Sequence, residues 1–143
     1  GPPNFVIGKG LVLRRGRDLA LVATSNMLPT AVRAADLVEA RMGWSPTVVS
    51  MHTLKPIDAD LLVDLCANNH TIYTLEEHSV IGGLGGAVAE VVSAFAGPRA
   101  RIVRLGINDC FVHVSGSQAY LREQALLTPE HILERIVADT PKT

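Results

Sequence analysis

From Leu19 onward, short apolar and β-branched runs alternate with longer stretches of helical period. Leu19-Ala20-Leu21-Val22-Ala23-Thr24 is apolar nearly throughout, as a strand covered on both faces of a sheet must be. Ala31, Ala34, Ala35, Val38 and Met42 then recur at helical spacing, with Arg33, Asp36, Glu39 and Arg41 between them. That pattern predicts an amphipathic helix closed by Gly43. Thr47–Met51 predicts the next strand, and Asp58 stands where an N-cap would open a helix burying Leu61, Leu62, Leu65 and Cys66. Asn68-Asn69 closes it. Thr71–Leu75 predicts a third strand that runs into Glu76-Glu77-His78 and a glycine-rich turn. A helix from about Leu84 to Phe95 follows, burying Leu84, Val88, Val91, Val92 and Phe95, and Gly97-Pro98 stops it. Arg101–Leu105 reads as a fourth strand ended by Gly106. Thr128 and Pro129 then open a last helix burying Ile132, Leu133, Ile136 and Val137. This alternation is the signature of an α/β protein with a parallel sheet.

One upstream run breaks the rhythm. Gly10–Arg15 is apolar enough for a strand, yet only Gly16-Arg17-Asp18 joins it to the next one. A parallel crossover takes a dozen residues or more, so this strand pairs antiparallel with a neighbour or folds back as an edge.

Composition narrows the picture. The 143 residues suit one domain, and a 48% hydrophobic, 19% charged chain can bury a core. Residues 1–4 read as a remnant of tag cleavage, and residues 139–143 as a flexible polar tail. A formal charge of -1 leaves no field to draw in a polyanion, which argues against nucleic acid as a partner. No apolar run reaches the ~18 residues of a membrane span, and no basic segment followed by an apolar stretch opens the chain. Cys66 and Cys110 form no Cys-x-x-Cys pair and read as reduced core residues. The expectation is a soluble, cytoplasmic protein without membrane contact.

Candidate chemistry gathers at the end of the third βα strand. Glu76, Glu77 and His78 lie where open α/β sheets usually bind ligands. Adjacent strand residues point to opposite faces, however, so the two carboxylates do not converge on one atom. Polar pairing across an interface fits them better than acid-base catalysis. Gly82-Gly83-Leu84-Gly85-Gly86 opens a helix, where backbone amides can hold an anion. Val88 replaces the third glycine of the dinucleotide fingerprint. Two readings remain: close packing of helix on sheet, or an anion or partner site. Glu76, Glu77, His78, Gly82, Gly83, Gly85 and Gly86 are therefore the interface or anion-site candidates. His52, His70, His78, His113 and His131 show no metal-ligand spacing, and Ser79, Ser115 and Ser117 lack a nucleophile elbow. No catalytic, cofactor-binding or metal-binding residue is assigned.

The motifs occur in a telling order: Ile7-Gly8-Lys9-Gly10, Arg14-Arg15-Gly16-Arg17-Asp18, His52-Thr53-Leu54-Lys55-Pro56-Ile57-Asp58, then Glu76-Glu77-His78 through Gly86-Ala87-Val88. Gly106-Ile107-Asn108-Asp109 and Ser115-Gly116-Ser117 follow. This order resembles the C-terminal domain of the transketolase family, which includes transketolase, 1-deoxy-D-xylulose-5-phosphate synthase and the beta subunits of 2-oxo-acid dehydrogenases. The resemblance covers nearly the whole chain. It implies a three-layer α/β/α domain whose five-stranded mixed sheet has its first strand antiparallel to the rest. It also implies that thiamine diphosphate and Mg2+ belong to the complete enzyme, on thiamine-binding and pyrimidine-binding domains outside this chain. This domain would pack against them, help build a homodimer, and leave sugar phosphate substrates to the other domains. The family's metal-diphosphate motif, Gly-Asp-Gly with a downstream asparagine, does not occur here. Ser25-Asn26 and Leu126 stand where the family usually has glycine, which alters local turn geometry. His52–Pro56 and Glu76–His78 look more like transketolase, particularly its split two-chain form. Gly8–Gly10 and Phe111–His113 lean toward the synthase. A stand-alone module holding an anionic metabolite at the glycine turn is the alternative from a different class.

Overall fold

The computed structural model describes residues 6–79, 83–107 and 126–141. Five strands form one sheet: β1 (Leu11–Arg14), β2 (Asp18–Ala23), β3 (Thr47–Ser50), β4 (Asn69–Ser79) and β5 (Arg101–Ile107). Their order is β1-β3-β2-β4-β5. The apolar runs of β2 and β3 put them inside the sheet, and the short Gly16-Arg17-Asp18 link leaves β1 antiparallel to β3 at one edge, while the other pairs are parallel. Both alternatives for β1 are thus realised together.

Alternation along the strands divides the core in two. Leu19, Leu21, Ala23, Tyr73, Leu75 and Val103 face α1 (Leu28–Met42) and α4 (Pro129–Asp139). Ala20, Val22, Val49 and Ile72 face α2 (Ala59–Asn68) and α3 (Leu84–Ala94). The result is the expected three-layer α/β/α arrangement. Each large side chain enclosed here is worth about 1.5–3 kcal/mol of hydrophobic stabilisation, which suits a sheet covered on both faces.

The helix ends follow their local chemistry. Asp58 caps α2, its Oδ1 accepting from the Leu61 amide at 3.1 Å, while Oδ2 accepts from the Gly10 amide at 2.9 Å. Thr128 caps α4 and Pro129 follows at its start. Gly43 closes α1 in the left-handed region. A short 3-10 turn, Ser25–Met27, leads into α1, with Pro29 in its first turn.

Several expectations need correction. Gly106 does not end β5, because Ile107 still pairs with Ser79 of β4. Leu61, Val91, Phe95, Leu133 and Val137 are half-buried, lying at the borders of the helix faces that cover the sheet. Asp139, assigned to a flexible tail, ends α4, and its Oδ2 accepts from Tyr73 Oη at 2.9 Å and Arg135 Nε at 3.0 Å. Cys66 is buried and free. Cys110, His113, the Asn108–Ser117 motifs and the tag-remnant residues 1–4 lie outside the described residues.

Candidate functional site

The strand end carrying Glu76, Glu77 and His78 stands where the sheet's connections reverse. β2 leads through α1 to β3 on one side, and β4 leads through α3 to β5 on the other. The register of β4 against β5 shifts there. Leu75 pairs with Ala23 on one flank and Leu105 on the other, and the next pair is Ser79 with Ile107. β4 therefore advances four residues against two on β5, and the surplus is an arch at Glu76–His78. Bulges of this kind turn side chains away from the regular pleat.

The two glutamates face opposite sides of the sheet, as alternation requires. Glu76 is only 1% exposed. Its Oε2 accepts from the Leu84 amide at 2.6 Å and its Oε1 from the Gly85 amide at 3.0 Å. Both oxygens are thus engaged by the first turn of α3, where the helix dipole favours a negative charge. Gly83 makes this approach feasible, since a Cβ there would collide with Glu76 Oε2. Gly85 brings the helix flat onto the sheet: a Cβ would sit 2.7 Å from Arg104 Cγ and 2.8 Å from Thr74 Oγ1. At Gly86 a Cβ would meet nothing within 4 Å, so packing does not demand glycine there.

Glu77 is half-buried on the other face. Its Oε2 accepts from Asn26 Nδ2 at 2.5 Å, and Thr24 Oγ1 donates to Asn26 Oδ1 at 3.2 Å. The Thr24 amide donates to the Leu75 carbonyl at 3.1 Å, tying the end of β2 to the end of β4. Asn26 is a site residue that no sequence motif singles out, Ser25-Asn26 standing there only as a departure in turn geometry. The signal that would have found it is its polar amide at the carboxyl end of β2, beside the switch in strand order. The backbone of His78 belongs to β4, its side chain lies outside the described residues, and so does Gly82.

This geometry changes the roles expected from sequence. Glu76 was grouped with interface and anion-site residues, but its carboxylate is an internal ligand of α3. The amides of Leu84 and Gly85, which the anion-site reading needed, are the ones it holds. Glu77 alone of the two carboxylates reaches the surface. Among the described residues, no group of three or more His, Cys, Asp or Glu side chains converges to hold a metal ion. No helix among them is long and apolar enough to cross a membrane.

Comparison with known proteins agrees with the architecture. A transketolase C-terminal section assigned in Methanocaldococcus jannaschii is 40% identical over 139 residues, covering 97% of this chain and 42% of that protein. The 1-deoxy-D-xylulose-5-phosphate synthase of Dechloromonas aromatica is 37% identical over 134 residues, covering 94% of this chain and 20% of the synthase. A solved structure described as the inactive beta4 tetramer of a split-gene transketolase superimposes with a TM-score of 0.84 at 39% identity, over 95% of this chain and 43% of that one. A transketolase of Pichia stipitis, at 20% identity and a TM-score of 0.67, shares the fold over 92% of this chain and 18% of its own. The chain therefore spans about two-fifths of the transketolase section and of the split-gene chain, and a fifth of the synthase. The family model for the C-terminal domain of transketolase matches residues 8–132, and this chain belongs to that family.

Proposed function

We propose that this chain is the C-terminal domain of a thiamine-diphosphate-dependent ketol transferase of transketolase type, and that its work is assembly rather than bond making. The observation that carries this reading is the 40% identity to a transketolase C-terminal section across 97% of the chain. The strand end supports it. Its two carboxylates point to opposite faces and each is already hydrogen-bonded, so they offer no pair converging on a reacting atom. The described residues also fit a magnesium diphosphate poorly, because the α3 amides suited to a phosphate are held by Glu76. No catalytic step is routed through this chain. Glu77 and His78 are the candidates for contact with thiamine-binding and pyrimidine-binding domains in a cytoplasmic homodimeric enzyme that handles sugar phosphates.

A second reading is the same domain of a 1-deoxy-D-xylulose-5-phosphate synthase, favoured by identities of 37% and 38% to two such enzymes. The test has two arms. Titration calorimetry of this chain with thiamine diphosphate and Mg2+ should give no saturable heat, and saturable binding at micromolar cofactor would sink the assembly reading. The enzyme that contains the domain should transfer a ketol group between sugar phosphates; formation of 1-deoxy-D-xylulose 5-phosphate instead would establish the second reading.

A further inference from the structure

We infer that the turn at Val6–Gly10 and the loop at His52–Asp58 form one docking patch for the domain that precedes this one in the complete enzyme: an apolar patch with lysines beside it, which fits an apolar surface with acidic groups at its margin. The inference rests on the assembly reading. Two motifs far apart in sequence build the patch. His52 Nε2 donates to the Val6 carbonyl at 3.1 Å, and the Gly10 amide donates to Asp58 Oδ2 at 2.9 Å. Between these bonds the Lys9 amide closes a turn onto the Val6 carbonyl at 3.0 Å. Gly8, at a φ of 80°, takes the left-handed conformation that favours glycine. It lies so close to the loop that a Cβ there would stand 3.1 Å from Pro56 Cγ. The turn is therefore held at both ends and in the middle, yet what it presents is apolar. Ile7 is 83% exposed and Val6 50%, and Pro56, against which Gly8 lies, is exposed as well. Single exposed apolar side chains are ordinary, whereas neighbouring ones on a fixed backbone mark a surface for a partner. Lys9 and Lys55, next to Gly8 and Pro56 in the chain, are exposed too, and they supply the charge that an acidic margin would meet. Position identifies the partner. The matching family model is that of a C-terminal domain, and the chain spans 42% of a transketolase C-terminal section and 43% of a split-gene chain. In such relatives the greater part of the polypeptide thus precedes the matched region, and Val6 and Ile7 stand where it would join. The pairing of Leu11 with Ser50 puts this junction at the carboxyl edge of the parallel strands, the edge where open α/β sheets engage ligands.

Hydrogen exchange read peptide by peptide, in the complete enzyme and in this chain by itself, tests the patch. Peptides spanning residues 6–10 and 52–58 should exchange about tenfold more slowly in the complete enzyme. Ile7→Asp, a change at an exposed position, should abolish that protection and leave the melting temperature of this chain unmoved. Equal exchange in the two settings, or protection that survives Ile7→Asp, overturns the inference. A melting temperature lowered as far as by a core change also overturns it, since Ile7 would then serve the fold. Should this chain not fold by itself, the native and variant forms of the complete enzyme decide: faster exchange of both peptides in the variant supports the patch, and unchanged exchange is against it. The same map separates the two ideas. Protection of other segments but not of these two overturns the docking patch alone; no protected segment anywhere in this chain overturns the assembly reading as well.

Discussion

A methyl group at Gly85 would press on Arg104 Cγ and Thr74 Oγ1, whereas one at Gly86 would point into open space. Neighbouring glycines in one helix turn should therefore respond in opposite ways. Gly85→Val is expected to cost about 1–3 kcal/mol by urea unfolding, and Gly86→Ala to add about 0.5–1 kcal/mol by removing chain entropy from the unfolded state. Equal effects at the two positions would contradict the packing seen here. Tyr73 gives a pH prediction. Burial, and then the hydrogen bond to Asp139, raise its phenol above the ordinary value of 10.0. The unfolded chain therefore loses that proton first, so stability is intact below pH 10 and falls as the pH climbs above it. Tyr73→Phe should flatten that alkaline decline in a series of melts, at a cost of about 1 kcal/mol near neutrality. The site itself was half legible in the sequence. Alternation revealed that Glu76 and Glu77 diverge, but it cannot tell which residue faces inward, because that depends on where α3 lies. The partners of Glu76, the amides of Leu84 and Gly85, follow a glycine turn whose path local pattern does not specify.

Each element was legible where its own residues dictate its form. The caps at Asp58 and Thr128 and the stop at Gly43 are local chemistry, and all three stand where the pattern puts them. The misjudged limits are those set by neighbours: β5 runs past Gly106 because β4 supplies a partner for Ile107, and α4 reaches Asp139 because Tyr73 and Arg135 hold its side chain. Asp58 joins local and distant roles, since one oxygen caps α2 and the other secures the segment leading into β1. Asp58→Ala should thus lower stability by about 1–2 kcal/mol, the upper range for loss of a cap. Asp58→Asn, which keeps one carbonyl acceptor, should cost less. Chemical denaturation of both variants measures the difference; no loss in Asp58→Asn would mean that the second contact contributes nothing, and losses equal to those of Asp58→Ala would mean that the retained one contributes nothing.

Over the whole molecule, the class of fold could be read from the alternation of strands and helices, but the pairing of β1 with β3 rather than β2 could not. The short link at Gly16–Asp18 excludes a parallel crossover without choosing a partner, and the choice is made by β4, which takes the other flank of β2. That order has a consequence in time. As the chain leaves the ribosome, β1 emerges well before its partner, because the residues that pair with Leu11 and Val12 are Ser50 and Val49. The strand must wait, unpaired, while β2, α1 and β3 are made, and closing that interval carries an entropic cost that local elements escape. With three register pairs on one flank only among the described residues, β1 also has less to lose by opening than β2, which is paired on both. Native-state hydrogen exchange should find its amides released at a lower free energy than those of β2. Exchange of β1 only with the global unfolding of the sheet would show instead that this edge strand is as firmly held as the centre it waited for.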